Sequence, residues 1–376
     1  MKINVVGNIM GTSGFAFHTH NLAKCLAKAG HDVAIESPLS QGWEAFVDSE
    51  TREMLDKNYR DEVNICIGHP QYTQYVMSDR PKGIIQFLVF EGNRLPAFWI
   101  PILNDDRINQ VWVASEDTKT AALDSGVNAD KIFIVSHGVD CSVFKPVGVE
   151  RLDSRFCFTY VKGWAKGEDD RSGMSDLLIA FAQEFGKDEP VRLSLKINAA
   201  YNYPGWSMVD EINRIINKYD IKFENNLVVT SESMDEKKLC EFYNSADCFV
   251  APTRGEAFGL TIAEALACGL PVICTDKGGH VDFASGEFVD YVKSELRPSP
   301  ELPVYEGINW NYCDLVDLRK KMREAYEKYK NSRFDKDTHK KLVKDKIAEK
   351  IISRFEWSNT AEKANKALEA LGVDKV

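Results

Sequence analysis

Long apolar runs are missing from this sequence, although hydrophobic residues make up 44% of its 376 positions. No run approaches the roughly 20 apolar residues that a membrane-spanning helix needs. The N-terminal segment MKINVVGNIMG has only a short apolar stretch and does not match a signal peptide. We therefore expect a globular, cytoplasmic protein.

Positive charge is also scarce. The chain has 47 Lys and Arg against 57 Asp and Glu, a net charge of −10. Nucleic-acid-binding proteins usually carry a basic footprint, so no nucleic-acid partner is expected. Residues 317–354 depart from this balance, with 14 Lys and Arg against 7 Asp and Glu. Solvated helical faces are the simpler interpretation, and a peripheral contact with an anionic membrane surface is the alternative.

Cysteine is present but in no diagnostic pattern. The nine cysteines are odd in number, scattered, and include no Cys-x-x-Cys pair, which argues against a disulfide scaffold and a zinc-binding spacing. Most of them stand among apolar residues, where a thiol behaves as a small hydrophobe. A reducing compartment is the simplest setting for such thiols.

Strand-like and helix-like segments alternate along the chain. A strand over residues 2–7, a glycine-containing loop, a helix over 15–29 and a strand over 31–36 form a βαβ pattern. The pattern stops near a linker at 145–155 and then begins again. Such alternation predicts two doubly wound α/β domains, and we expect them to face each other across a cleft that binds ligands. Further predicted strands cover 64–68, 83–90, 110–115, 131–136, 156–161, 191–197, 226–231, 247–252 and 271–276.

The first predicted strand leads into a loop of small residues, Gly11, Thr12, Ser13 and Gly14. Such residues let a backbone approach a ligand closely, and the helix that follows favours an anion at its N-terminus. The loop is not a Gly-x-Gly-x-x-Gly motif, and a tight turn alone also uses glycine. Ligand contact and a plain turn both remain open.

A second loop, within residues 252–269, carries two acidic residues. Glu256 and Glu264 are separated by seven residues, Gly255 and Gly259 bracket the first of them, and a predicted helix follows. The first backbone amides of that helix are unpaired donors that suit a diphosphate. The helix dipole also favours an acidic residue near a helix N-terminus. This structural explanation accounts for one of the two glutamates, but it accounts poorly for the presence of both.

This segment resembles the E-x7-E signature of retaining glycosyltransferases of family 4, which have the GT-B fold. The resemblance implies two Rossmann-like domains: an acceptor-side domain over 1–148, with a C-terminal helix over 356–376 packing back on it, and a donor-side domain over 149–355. The implied enzyme transfers a hexosyl group from a nucleotide sugar to an acceptor hydroxyl with retention, and needs no metal and no cofactor. Segments that resemble the family in the same order are 11–33, 111–115, 136–146, 247–279 and 354–368.

The same resemblance implies roles for individual residues. Glu256 would contact the hydroxyls of the donor sugar and stabilise the transition state, and Glu264 would bind the ribose. The donor would be a UDP- or GDP-sugar, and the acceptor a glycan, a lipid-linked glycan or a small molecule. The remaining implied donor contacts are Phe258, Gly259, Leu260, Thr261, Ser13 and Gly14.

Two positions depart from the family pattern. The family usually has an Arg and then a Lys after the first strand of the second domain, whereas here Lys162 follows the strand and Ser172 takes the later Lys position. Lys162 and Arg171 are the predicted sources of positive charge for the diphosphate, with Lys166 and Lys196 as alternatives.

The second departure concerns a histidine of the first domain, whose place is taken by Phe90-Glu91. Glu91 is a possible substitute or an acceptor-binding group, and His69, which follows a predicted strand, ranks first among the histidines. The other histidines are more simply structural, and the nearby aromatic residues are either core or an acceptor platform. These secondary candidates are His18, His20, His137, Phe87, Phe90, Phe98 and Trp99. In a loop of the second domain, Tyr201, Tyr203 and Trp206 form either a mobile lid or a packed loop.

Two other functions stay open, and the missing Lys and His bear on the second of them. One is a different GT-B enzyme, such as a nucleotide-sugar epimerase. The other is a non-catalytic relative that binds a nucleotide sugar.

Overall fold

The chain forms two compact units. The first comprises Met1–Gly138, Glu301–Ile308 and Phe355–Val376, and the second comprises Val139–Pro300 and Asn309–Arg354. The domain boundary expected from the sequence lies near residue 148, ten residues after the end of Met1–Gly138. The sequence-based division also leaves residues 301–308 in the second domain, whereas here they belong to the first unit. The computed structural model describes residues 1–9, 13–38, 47–164, 170–198, 207–300, 304–331 and 336–372.

A parallel sheet forms the centre of the first unit. Its order is β2-β1-β3-β4-β5-β6 among the described residues, and all neighbouring strands are parallel. Strands β3, β4 and β5 are buried along their whole length, as expected for a sheet covered on both faces. The strands are β1 (Lys2–Val6), β2 (Asp32–Glu36), β3 (Val63–Ile67), β4 (Gly83–Leu88), β5 (Gln110–Val113) and β6 (Ile132–Ile134).

Helices connect these strands. The first begins at Gly14, after the capping residue Ser13, whose Oγ accepts a hydrogen bond from the Ala16 amide at 3.2 Å. This helix buries Leu22 and Leu26. Such a cap satisfies one of the free amides at a helix start. The helices in this part of the chain are α1 (Gly14–Lys28), α2 (Ser49–Leu55), α3 (Pro70–Met77), α4 (Ile100–Leu103) and α5 (Glu116–Asp124).

The second unit repeats this architecture. Its described strands form a parallel sheet of order β12-β11-β10-β7-β8-β9 and a separate antiparallel pair, β13 and β14. The strands are β7 (Phe156–Gly163), β8 (Val191–Asn198), β9 (Leu227–Thr230), β10 (Cys248–Ala251), β11 (Val272–Thr275), β12 (Val289–Val292), β13 (Ser294–Pro298) and β14 (Asn309–Cys313). The helices are α6 (Met174–Glu184), α7 (Met208–Tyr219), α8 (Glu236–Asn244), α9 (Leu260–Ala267), α10 (Leu315–Lys330) and α11 (Lys336–Phe355).

The last helix, α12 (Trp357–Glu369), belongs to the first unit. It packs against α1, and the Gln110 side-chain amide donates to the carbonyl of Ala367 at 2.7 Å. Its start lies so close to Gly138 that a Cβ there would be 2.7 Å from the Cα of Trp357. A glycine is therefore required at that position.

In each sheet, successive strands are added first on one side of the starting strand and then on the other, which creates a switch point between two neighbouring strands. In the first unit this point lies between β1 and β3, and in the second between β7 and β10. Open α/β sheets bind ligands beyond the carboxyl ends of the strands at such points. The loops that follow these four strands are therefore where a site is expected.

The basic segment, residues 317–354, contains most of α10 and most of α11. Arg319 and Arg323 of α10 form ion pairs with Glu184, and Arg323 also pairs with Glu189. Part of the local positive charge is thus matched within the second unit. None of the described helices is long and apolar enough to cross a membrane.

Candidate active site

The switch point of the second sheet brings a lysine and a glutamate together. Lys162, near the end of β7, donates a hydrogen bond to Glu256 in the loop after β10, and their side chains are only 14% and 10% exposed. The Thr253 hydroxyl also donates to Glu256 Oε1, at 3.2 Å. The backbone carbonyl of Glu256 accepts from the Gly279 amide at 2.7 Å, so the carboxylate is held in one place.

Charge around Glu256 keeps it ionised. Burial alone would raise the pKa of Glu256, but Lys162 and Arg171 outweigh it, and the pKa is lowered. Arg171 is anchored in the same loop, because its Nη1 donates to the Gly255 carbonyl at 2.6 Å. One anion and two cations therefore share a partly buried site, where their interactions are stronger than in water.

Helix α9 begins beside this group. Its first residue follows Gly259, which has φ +99°, and a Cβ on Gly259 would lie 2.9 Å from the Cβ of His280. Phe258 is buried and packs on Phe283, with ring centroids 4.8 Å apart. Leu260 and Thr261 open the helix, and their amides lack intrahelical acceptors. These amides can donate hydrogen bonds to the oxygens of a phosphate.

Glu264 lies within α9 in a different environment from Glu256. It is 6% exposed and accepts a hydrogen bond from the Tyr243 hydroxyl at 2.7 Å. Burial raises the pKa of Glu264 to about 8, although the Tyr243 hydrogen bond opposes the shift. At neutral pH the carboxyl of Glu264 therefore keeps its proton while that of Glu256 is ionised.

Two of the three other predicted cation positions lie within the described residues. Ser172 is buried at the start of α6, where its Oγ accepts from the Met174 amide at 3.2 Å. That position therefore supports a helix and supplies no charge. Lys196 is buried on β8, and its burial lowers its pKa. Lys166 lies outside the described residues.

In the first unit, the loop after β1 is only partly described. Ser13 caps α1 and its Oγ also accepts from the Asn8 side chain at 3.4 Å, so its hydroxyl is already engaged. Gly14 is exposed. Gly11 and Thr12 lie outside the described residues, and the proposed contact of this loop with a diphosphate stays a prediction.

The loops after β3 and β4 contain the predicted acceptor residues. His69 precedes α3 and is half-buried, and burial lowers its pKa against the opposing effect of the Glu91 charge. Glu91 Oε2 accepts a hydrogen bond from the Tyr305 hydroxyl at 3.0 Å. The Tyr305 ring also stacks on Phe90 at 5.0 Å. His69 and Glu91 thus share an environment rich in aromatic residues.

The remaining aromatic and histidine candidates divide by burial. Phe87, Phe90 and Trp99 belong to the core, whereas Phe98 is 49% exposed and does not. The buried rings of His18 and His137 lie 3.9 Å apart within the first unit, and His20 bonds to Ile9 and Thr51. Tyr201, Tyr203 and Trp206 lie outside the described residues.

Comparison with known proteins identifies the region that contains the Glu256 site. Residues 205–292 match the family model of glycosyl transferases group 1. A probable sucrose-phosphate synthase of Thermosipho melanesiensis is 25% identical over 239 residues, which are 62% of this chain and 46% of that protein. A D-inositol 3-phosphate glycosyltransferase of Frankia alni is 26% identical over 40% of this chain and 37% of its own length. The matches therefore span less than half of either relative.

Solved structures match over the whole chain. A glycosyltransferase from Rickettsia africae gives a TM-score of 0.74 at 15% identity and covers 100% of this chain and 99% of its own. HepE from Anabaena, solved in complex with UDP-glucose, gives 0.67 at 14% identity over 98% of this chain and 100% of its own. The chain has the GT-B fold. The predicted fold class is therefore confirmed.

Three residues at the Glu256 and Glu264 positions were not predicted from the sequence. Tyr243 and Thr253 bond to the two glutamates, and His280 is buried against Gly259, with its Nε2 donating to the Thr275 carbonyl at 2.7 Å. The paired glycines before His280 are a signal that could have indicated the last of them. Tyr243 stands in an ordinary amphipathic helix, where no local pattern distinguishes it.

Proposed function

We propose that the protein is a retaining glycosyltransferase, which transfers a sugar from a nucleotide-sugar donor to an acceptor hydroxyl. The observation that carries the proposal is the ionised, buried Glu256 in contact with Lys162, next to the first amides of α9. The second unit is proposed to bind the donor and the first unit the acceptor.

The charges of this site fit the charges that develop during glycosyl transfer. As the bond between sugar and phosphate breaks, the sugar gains oxocarbenium character and the diphosphate leaves as an anion. The ionised carboxylate of Glu256 is suited to stabilise the positive charge that develops on the sugar. Lys162, Arg171 and the α9 amides are suited to the leaving group, and groups already in place stabilise a transition state without reorganisation. In this proposal the leaving group needs no metal ion.

Glu264 is proposed to bind the ribose of the donor. Its carboxyl lies one turn into the helix whose first amides would hold the phosphates, so one short segment contacts neighbouring parts of one ligand. UDP-glucose is the first donor to test, since it is bound in the Anabaena neighbour, and GDP-mannose is the second. A cytoplasmic location is proposed because all nine cysteines are buried thiols, which a reducing compartment preserves.

The test combines donor binding with turnover. Wild type should be stabilised by one of the two donors and should release nucleoside diphosphate slowly with water as acceptor. Glu256→Gln should keep the fold and lose about 100-fold or more of this rate, as expected when a preorganised charge is removed from a transition state. Glu349→Gln, an exposed carboxylate on α11, is the matched control and should behave as wild type.

Stereochemistry tests retention directly. The anomeric proton of the product, followed by NMR, should show the same configuration as the donor. An inverted product would contradict the retaining mechanism alone. Conversion of the donor to an epimer would favour the epimerase, and binding with neither hydrolysis nor transfer would favour the non-catalytic relative.

A further inference from the structure

The first unit presents a line of rings at the carboxyl ends of its central strands. Phe15 follows β1, His69 follows β3 and Phe90 follows β4, and these strands are neighbours in the sheet. Ring centroids are 6.3 Å apart between Phe15 and His69, 5.1 Å between His69 and Trp99, and 5.0 Å between Trp99 and Phe90. The rings therefore form one continuous group that begins at the switch point between β1 and β3 and extends past the end of β4.

Part of this group is open to solvent. Tyr72, whose ring lies 6.3 Å from His69, is 58% exposed, and Phe15, His69 and Tyr305 are half-buried. Apolar and aromatic walls with a few fixed polar groups are typical of small-molecule sites. A sugar ring has apolar C–H faces and a polar rim, so it can pack on the accessible rings of this surface.

The fixed polar group is the pair formed by Glu91 and Tyr305. The Tyr305 hydroxyl donates to Glu91 Oε2 at 3.0 Å, and the Tyr305 ring stacks on Phe90 with an interplanar angle of 19°. An ionised carboxylate can accept about four hydrogen bonds. Glu91 can therefore be oriented by Tyr305 and still accept a hydrogen bond from a ligand hydroxyl.

The charge of this group is negative. Glu91 carries it, while burial lowers the pKa of His69 and favours the neutral imidazole. A phosphate placed beside Glu91 would meet a like charge, and contact between like charges disfavours binding. A neutral hydroxyl meets no such penalty.

We infer that this surface of the first unit binds an uncharged, hydroxyl-rich acceptor such as a sugar or polyol, an inference that rests on the proposed function. Glu91, positioned by Tyr305, selects this acceptor over phosphorylated ones. Selectivity of this kind arises because the same group attracts one ligand and repels its competitor.

Matched pairs of acceptors test the inference. With whichever of UDP-glucose and GDP-mannose is hydrolysed, the pairs are glucose and glucose 6-phosphate, fructose and fructose 6-phosphate, and myo-inositol and inositol 3-phosphate. At least one neutral member should be used with a kcat/KM about tenfold or more above its phosphate, which corresponds to about 1.4 kcal/mol. Preference for the phosphates, or hydrolysis with transfer to no neutral member, would overturn the inference. Absence of both donor binding and hydrolysis would instead count against the proposed function.

Variants separate recognition from folding. Tyr305→Phe should raise the acceptor KM about tenfold, the usual effect of losing a hydrogen bond to a charged group, and should leave donor hydrolysis within about twofold. Tyr75→Phe is the control. It removes a hydroxyl that accepts a hydrogen bond from Arg60 at 3.0 Å, and it should leave the acceptor KM unchanged. Glu91→Gln should narrow the ratio between neutral and phosphorylated acceptors about tenfold. An equal loss with both members of a pair would mean that Glu91 is only structural.

Discussion

Two glutamates of one short segment differ in protonation because their neighbours differ. Glu256 faces Lys162 and Arg171, which lower its pKa despite burial. Glu264 is buried with the neutral Tyr243 hydroxyl as its hydrogen-bond donor, and its pKa rises to about 8. Divergent pKa values of paired carboxyls are the usual means of giving them different tasks.

The raised pKa of Glu264 makes stability depend on pH. In the unfolded chain this carboxyl titrates near 4.5 and in the folded protein near 8, so its contribution is fully present below pH 4.5 and is lost as pH rises through 8. Glu264→Gln removes that loss. The free energy of unfolding of Glu264→Gln minus that of wild type should therefore increase between pH 5 and 8, by at most about 1.4 kcal/mol per pH unit, and then level off.

Urea denaturation at pH 5, 6, 7, 8 and 9 measures this difference. Glu349→Gln, which changes an exposed carboxylate, should give a difference that hardly varies with pH. A constant difference for Glu264→Gln as well would show that Glu264 titrates as an ordinary carboxyl in the folded protein.

At the scale of elements, the start of α9 depends on one glycine. Gly259 has φ +99° and leaves no room for a Cβ next to His280. Gly259→Ala should lose about 1–2 kcal/mol from the left-handed backbone and about 1–3 kcal/mol from the clash. It should also weaken donor binding, because the amides of Leu260 and Thr261 move with the helix start.

Thermal unfolding with and without UDP-glucose and GDP-mannose measures both effects. Gly30→Ala is the matched control, since Gly30 has φ +92° with no neighbouring atom within 4 Å. It should show the backbone penalty alone and keep the donor-induced stabilisation. Equal donor-induced shifts in both variants would contradict a role of the α9 amides in donor binding.

The elements themselves were largely predictable. β-branched and apolar residues dominate β1, β3, β4 and β11, because strands of a parallel sheet that is covered on both faces are mostly apolar. The antiparallel pair β13 and β14 was not predicted. Its residues are mostly exposed or half-buried and carry little apolar pattern, so pairing between the two strands decides their structure.

At the scale of the whole molecule, the C-terminal helix completes the first unit. Gly138→Ala would place a methyl group 2.7 Å from the backbone N and Cα of Trp357, and overpacking of this kind costs about 1–3 kcal/mol. Hydrogen exchange should accelerate in α12 and α1. It should stay unchanged in β7 and β10, which belong to the other unit.

Gly148→Ala is the control for this prediction, since Gly148 has no neighbouring atom within 4 Å. Its exchange pattern should match that of wild type in every element. Unchanged exchange of α12 in Gly138→Ala would show that the contact with Trp357 adjusts without loss of packing.

What the sequence alone determined is local. The alternation of strands and helices and the spacing of Glu256 and Glu264 depend on residues near each other in the chain. Tertiary structure decided the partners: Lys162 reaches Glu256 across 94 positions, Tyr243 reaches Glu264 across 21, and Tyr305 reaches Glu91 across 214. The order of strands in the sheets and the return of residues 301–308 to the first unit bring these side chains together. No local sequence pattern encodes either of them. The protonation of each glutamate follows from its partner and its burial, so it too was decided by the fold.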